Sequence, residues 1–220
     1  MRLDLTDLDP DQIYKVLSGV VVPRPIALIT TVSADGIVNA APYSFFNVLS
    51  DDPPLVAIGI QNKKTGGPKD TTTNIRTTDE FVVNLADDTH AWNMVICGSA
   101  VAEDVDEIPL ARFTTAPSTH VKPPRIAECP VSLECRRYMM LEPGSRRTIV
   151  MGQVIAVHVR DDMIDRETLR VDGEKLGLIG RLHGPYYAST RDYYAMAIPQ
   201  PEDVLSGKVF ENPPEGPNKR

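Results

Sequence analysis

The sequence predicts a mainly β protein, an antiparallel β-barrel with a few helices, and three observations predict it. Short apolar runs rich in β-branched residues recur between residues 26 and 159. Turn residues separate them at hairpin spacing through the first half: Asp35-Gly36, then Asp51-Asp52-Pro53-Pro54. Helical periodicity is confined to a few short stretches. About seven strands result, and closing them into a barrel removes the exposed edges of an open antiparallel sheet.

Taken in order, Asp9-Pro10-Asp11-Gln12 reads as a helix start, with Asp9 as cap, Pro10 in the first turn and Gln12 at the reciprocal capping position. Ile13, Val16, Leu17 and Val20 follow at helical spacing, and Gly19 offers an exit. Residues 26–32 form a strand, Asp35-Gly36 a type I′ turn with positive φ at both positions, and residues 37–41 the returning strand. Residues 44–49 and 55–60 are two further strands. Residues 70–77 form a helix capped by Asp70, residues 81–85 a strand, and residues 89–96 a helix that Gly98 ends. Residues 131–135 alternate with period two, Pro143-Gly144 punctuates, and residues 148–159 form a long strand in which Gly152 permits a bulge. Residues 1–200 make one domain, and the proline-rich stretch 201–220 is an extended tail.

The chain has 220 residues, 42% hydrophobic and 24% charged, with a formal net charge of −7. That length buries a sizeable core without disulfides or structural metals. An acidic balance with no basic stripe argues against a nucleic-acid partner. No apolar run approaches the ~18–20 residues that cross a bilayer, and acids stand where a signal peptide needs basic residues. Cys97, Cys129 and Cys135 contain no CxxC, and the four histidines show no metal-ligand spacing. The cysteines read as small buried hydrophobes in a reducing cytoplasm, and no metal is expected.

Three segments hold candidate chemistry. Residues 39–44, Asn39-Ala40-Ala41-Pro42-Tyr43-Ser44, combine small residues with polar donors and let a ligand approach the main chain; the same residues also make an ordinary crossover turn. Lys69-Asp70-Thr71-Thr72-Thr73-Asn74 places a lysine and hydroxyls at a helix N-terminus, which suits an anion; a plain capped surface helix has the same pattern. Residues 180–187 gather Arg181, His183, Tyr186 and Tyr187 with two glycines, either as a ligand loop or as a tight packed turn. No GxSxG, SxxK, GxGxxG or Walker motif is present. The acidic cluster Glu103-Asp104 with Asp106-Glu107 reads as a solvated loop.

In order along the chain, Arg24-Pro25-Ile26-Ala27-Leu28-Ile29-Thr30-Thr31, Asn39-Ala40-Ala41-Pro42-Tyr43-Ser44-Phe45-Phe46, Pro53-Pro54-Leu55-Val56 and Lys69-Asp70-Thr71 with Asn74-Ile75 resemble the flavin reductase-like, FMN-binding split-barrel proteins. Glu80-Phe81-Val82-Val83-Asn84, Leu133-Glu134-Cys135, Gly152-Gln153-Val154 and Arg181-Leu182-His183-Gly184 with Tyr187 extend the resemblance over about residues 10–200. The branch it resembles most contains flavoredoxin and the reductase partners of two-component monooxygenases.

The resemblance implies a homodimer holding FMN non-covalently near the subunit interface, with NADH or NADPH as possible co-substrate and a monooxygenase or other redox protein as possible partner. Arg24, Pro25, Ile26, Ala27, Thr30 and Thr31, with Asn39, Ala40, Ala41, Tyr43 and Ser44, would line the isoalloxazine and ribityl chain. Lys69, Asp70, Thr71 and Asn74 would lie at the phosphate end, with Arg181 and His183 near flavin or nicotinamide. Many of these reductases carry a serine pair where this chain has Ala41-Pro42, so main-chain donors replace those hydroxyls. No catalytic side chain is assigned, because the cofactor carries the chemistry. A nicotinamide-dependent reductase, an electron carrier and a flavin-binding module without turnover all fit the sequence.

Overall fold

The computed structural model describes residues 1–102 and 105–210. Its helices are α1 (Pro10–Val20), α2 (Asp70–Thr78), α3 (Ala91–Ile96), α4 (Glu107–Leu110), α5 (Gly173–Leu176) and α6 (Pro201–Ser206). Its strands are β1 (Arg24–Pro25), β2 (Ala27–Val32), β3 (Val38–Tyr43), β4 (Phe46–Asp51), β5 (Pro54–Gln61), β6 (Glu80–Leu85), β7 (Thr115–Ala116), β8 (Arg125–Ile126), β9 (Val131–Gly144), β10 (Arg147–Val159), β11 (Ile179–Arg181) and β12 (Tyr187–Ser189).

Seven of these strands form one antiparallel sheet in the order β3-β2-β6-β9-β10-β5-β4. Laid flat, its end strands would stand about 29 Å apart at the usual strand spacing. Yet β3 and β4 are consecutive in the chain, joined only by Ser44 and Phe45, a link that spans at most roughly 11 Å. The sheet therefore curls on itself into a barrel. Phe45 helps to close it, its carbonyl accepting the Gly59 N–H at 2.6 Å.

Strand alternation sends side chains to two separate cores. Ala27, Ile29, Tyr43, Ile58, Phe81, Val83 and Val150 fill the interior of the barrel. Ile26, Leu28, Ala40, Met94, Ile108 and Phe113 pack outside it, with α3, α4 and the segment after them as cover. Buried on both faces, β2 shows no alternation of apolar and polar residues. Within β10 the register slips between Met151 and Gly152, the bulge expected at that glycine. A Cβ on Gly152 would run into the Phe81 ring, so the glycine makes room for the largest fully buried side chain.

The free edge of β3 is blocked. The N–H of Ala40 points away from β2 and donates to Glu107 Oε2 at 2.9 Å, and Pro42, two residues on, has no N–H.

Several boundaries differ from the sequence reading. The capping box of α1 is present: Asp9 Oδ1 accepts from the N–H groups of Asp11 and Gln12 at 2.9 Å, and Gln12 Oε1 accepts from the Asp9 N–H. The helix runs through Gly19 to Val20. At Asp35-Gly36 only Gly36 has positive φ, 86°, so the turn is not type I′; Ser33 N–H donates to Ile37 O, and the Ser33 hydroxyl accepts from the Ile37 N–H. The strand expected at 131–135 continues to Gly144 as one arm of a long hairpin, largely exposed beyond Cys135, and Pro143-Gly144 lies within it. The stretch expected to be an extended tail contains a helix, because Gln200, Pro201, Glu202 and Asp203 make a start and Gly207, at φ 76°, a stop. The tail's Pro213, Pro214 and Pro217, and Glu103-Asp104, lie outside the described residues. Cys97, Cys129 and Cys135 are free and buried, as expected.

Candidate functional site

Helix α2 packs Thr71, Thr72, Asn74 and Ile75 against the barrel and leaves its N-terminus at the surface. Its cap position belongs to Lys69, not Asp70, and Lys69 gives no side-chain cap. Asp70 is the first helical residue and pairs with Lys63 at 2.8 Å. The opening N–H groups of α2 and the positive end of its dipole therefore stand ready for an outside acceptor.

Beneath this turn lies a buried polar network. Thr71 Oγ1 accepts from Asn39 Nδ2 at 3.0 Å and from the Tyr43 hydroxyl at 2.9 Å. Thr31 Oγ1, inside the barrel, accepts from Asn74 Nδ2 at 3.0 Å and more weakly from Asn39. Burial pushes the Tyr43 phenol far above its ordinary range, with Asp70 and Glu107 adding to the effect, so it remains a neutral donor.

Asn39, Ala41, Tyr43, Lys69, Asp70 and Thr71 line one cavity of about 460 Å³, whose far wall is residues 97–102 and Glu107. The sequence reading left Glu107 in a solvated acidic loop. It is instead 8% exposed, because Asp106 caps α4 by accepting the Ile108 N–H at 2.9 Å and turns Glu107 inward. The signal was Asp106 standing before the apolar Ile108-Pro109-Leu110. Burial pushes the Glu107 carboxyl above its ordinary value, which the Ala40 N–H only partly offsets. Burial likewise pushes the Cys97 thiol in this wall up to about 12.

Other residues singled out from the sequence stand elsewhere. Thr30 faces the outer side of the sheet, where its hydroxyl donates to Pro124 O at 2.6 Å. Ile26 and Ala40 belong to the outer core and Ala27 to the inner one. Arg24, 7% exposed, donates to the carbonyls of Ser18, Val21 and Leu182, tying the end of α1 to the loop after β11. Arg24, Pro25 and Ser44 line a second cavity. Arg181 pairs with Arg24 in backbone register, but its guanidinium turns back to the Tyr187 hydroxyl and Gly184 O. The His183 ring packs on Tyr186. The structure thus gathers Asn39, Ala41, Tyr43, Lys69, Asp70 and Thr71 at one cavity with Thr31 and Asn74 behind them, and leaves Arg181 and His183 outside its lining.

Comparison with known proteins gives the arrangement its family. The flavin reductase like domain matches residues 19–183. A protein of Aquifex aeolicus is 41% identical over 187 residues, 85% of this chain and 94% of that one. Among solved structures, the 2-nitrobenzoate 2-nitroreductase NbaA of Pseudomonas fluorescens superposes with a TM-score of 0.84 at 37% identity, covering 90% of this chain and 96% of its own. Component B of the nitrilotriacetate monooxygenase of Bacillus cereus gives 0.84 at 28% identity, covering 89% and 98%. No helix among the described residues is long and apolar enough to cross a membrane. On the domain match and the antiparallel barrel together, the chain belongs to the flavin reductase-like family of split-barrel proteins.

Proposed function

We propose that this protein is an FMN-binding oxidoreductase of the flavin reductase type, taking electrons from NADH or NADPH. The observation that carries the reading is the uncapped start of α2, whose opening N–H groups stand beside the Thr71 hydroxyl at one cavity. With Lys69 beside it, that donor set fits a phosphate dianion, the group that distinguishes FMN from riboflavin. Of the carboxylates at the cavity, Asp70 is paired with Lys63, and burial favours the neutral form of Glu107.

When bound, FMN supplies the hydride acceptor and passes electrons onward. The protein's part is to hold it without a covalent bond. Lys69, Thr71 and the α2 N–H groups would take the phosphate, while Asn39, Ala41 and Tyr43 would wall the path along β3. The family's habit makes the working form a homodimer, placed in the cytoplasm, where the three buried thiols stay reduced. Relatives named as a nitroreductase and as a monooxygenase component point to a small-molecule acceptor or a partner monooxygenase downstream.

A second reading, an electron carrier that keeps FMN and docks a redox protein, is favoured by one observation: Arg181 is engaged within its own loop rather than offered to a nicotinamide phosphate. Two measurements decide. Fluorescence titration should show FMN binding tighter than riboflavin, and equal affinities remove the phosphate assignment. Adding NADH or NADPH to the FMN-loaded protein should bleach flavin absorbance near about 450 nm. Bleaching only by a reduced partner protein selects the carrier, and no redox cycling at all leaves a binding module.

A further inference from the structure

Beside the segment that walls the polar cavity lies another of about 480 Å³, of different character. Leu17, Val21, Phe45, Phe46, Leu49 and Ile149 make most of its lining apolar. Two arginines enter it, both over the ring of Phe45, on which Tyr14 also stacks. The Arg147 guanidinium lies 4.2 Å from the centre of the Phe45 ring, and that of Arg24 lies 5.9 Å from it.

Neither arginine has an acidic partner among the described residues. Arg24 is spent on the carbonyls of Ser18, Val21 and Leu182 and on the Ser44 hydroxyl, and Arg147 Nη1 donates to Gly59 O at 2.7 Å. Burial depresses both pKa values, and no carboxylate offsets it in either case. Cations drawn into an apolar cavity without a counter-charge lose solvation that nothing there replaces. The remaining N–H groups of Arg147 can meet a carboxylate with a forked pair of hydrogen bonds.

We infer that this cavity is a binding site for a flat organic anion, an aromatic carboxylate, its charge held by Arg147 with Arg24 behind and its ring laid against the apolar wall of Leu17, Val21, Leu49 and Ile149. The volume is ample for one aromatic ring with substituents. Ser44–Asn47 line this cavity, whereas Asn39 and Ala41–Tyr43 line the polar one, so the occupants of the two would be neighbours along a single stretch of chain. Which reaction the anion then undergoes rests on the flavin reading above; its binding does not.

The test uses benzoate, with benzamide as its uncharged counterpart and acetate as charge without a ring, measured by calorimetry on the FMN-saturated protein. Benzoate should bind at least about tenfold more tightly than either. Arg147→Gln should remove most of that preference over benzamide while leaving the preference for FMN over riboflavin intact. Arg147→Lys, which keeps the charge but not the fork, should retain part of it, and thermal melts report whether each variant is folded. Equal binding of benzoate and benzamide overturns the inference, as does a folded Arg147→Gln that binds benzoate like the parent. Loss of the FMN preference in Arg147→Gln also overturns it, placing the flavin phosphate here instead. Benzoate binding that persists in protein unable to take FMN defeats the flavin reading and leaves this site standing.

Discussion

The phenol of Tyr43 donates to the hydroxyl of Thr71 at 2.9 Å and so joins the end of β3 to the first turn of α2. The bond sets the barrel wall against the helix that offers its N-terminus. Tyr43→Phe keeps the ring and removes only that bond. It should cost about 1 kcal/mol of stability and weaken FMN binding by a similar amount. Denaturant unfolding and flavin fluorescence titration check both, and a variant identical to the parent in each would show that the bond does neither job.

Lys69 is exposed and contributes little packing. Lys69→Ala should leave the melting temperature unchanged and weaken FMN by roughly 1–3 kcal/mol, the scale of a hydrogen bond to a charged group. Riboflavin affinity should not move. Parent-like FMN binding would make the lysine a solvated charge.

Glu134 is fully buried. Burial by itself would raise its pKa, but the Thr119 N–H at 2.7 Å, the His158 ring and the His120 N–H at 2.6 Å outweigh it and hold the carboxyl below its ordinary 4.5. With the folded pKa depressed, the unfolded chain binds more protons in acid. The stability this group supplies is complete above 4.5 and is lost as pH falls through the folded pKa. Glu134→Gln should therefore cost about 1–3 kcal/mol at neutral pH, and its deficit should shrink steadily in acid below the ordinary glutamate range. Urea titrations across pH read the difference, and a deficit independent of pH contradicts the assignment.

Gly152→Ala places a methyl against the Phe81 ring, within 2.8 Å of Cε1. Both strands are central to the sheet, so neither side can move aside cheaply. A loss of about 1–3 kcal/mol is expected in chemical denaturation, and a neutral variant would mean that the ring swings away freely.

In the loop after β11, Arg181→Ala and His183→Ala should raise the apparent KM for NAD(P)H with little change in kcat, and FMN stoichiometry should stay at the parent's. Steady-state kinetics on FMN-saturated protein, with melts alongside, tests this. Unchanged kinetics in both variants would favour the electron carrier.

Much of this fold was legible because the features that announce it are local. The capping box at Asp9 and the bulge glycine at 152 each declare themselves within a few residues. So do the seven apolar runs that became the main sheet. Pairing over distance was not legible. The strand β1 is short and depends on β11, more than 150 residues away, and nothing in Arg24-Pro25 announces that partner. Residues 136–142 carry their apolar side chains as one run, Tyr138 to Leu141, with no period-two alternation to announce a strand, and only pairing with β10 extends it there. At the site, Lys69, Asp70 and Thr71 were visible as a helix start. Which face Thr30 would take was hidden, because β2 is buried on both sides and carries no alternation to read. Glu107 was misread because burial depends on where α4 docks, which composition does not encode.

The blocked edge of β3 bears on how this protein behaves when crowded. A terminal strand with free N–H and C=O groups is a template on which a foreign strand can crystallise, and repeated addition leads to fibrils. At Ala40 and Pro42 an incoming strand finds no donor, one being held by a carboxylate and the other chemically absent. Propagation from this end is therefore poisoned at two successive registers. The opposite terminal strand, β4, leaves Val48 and Leu49 exposed, and of the two ends it is the one on which solubility engineering should begin.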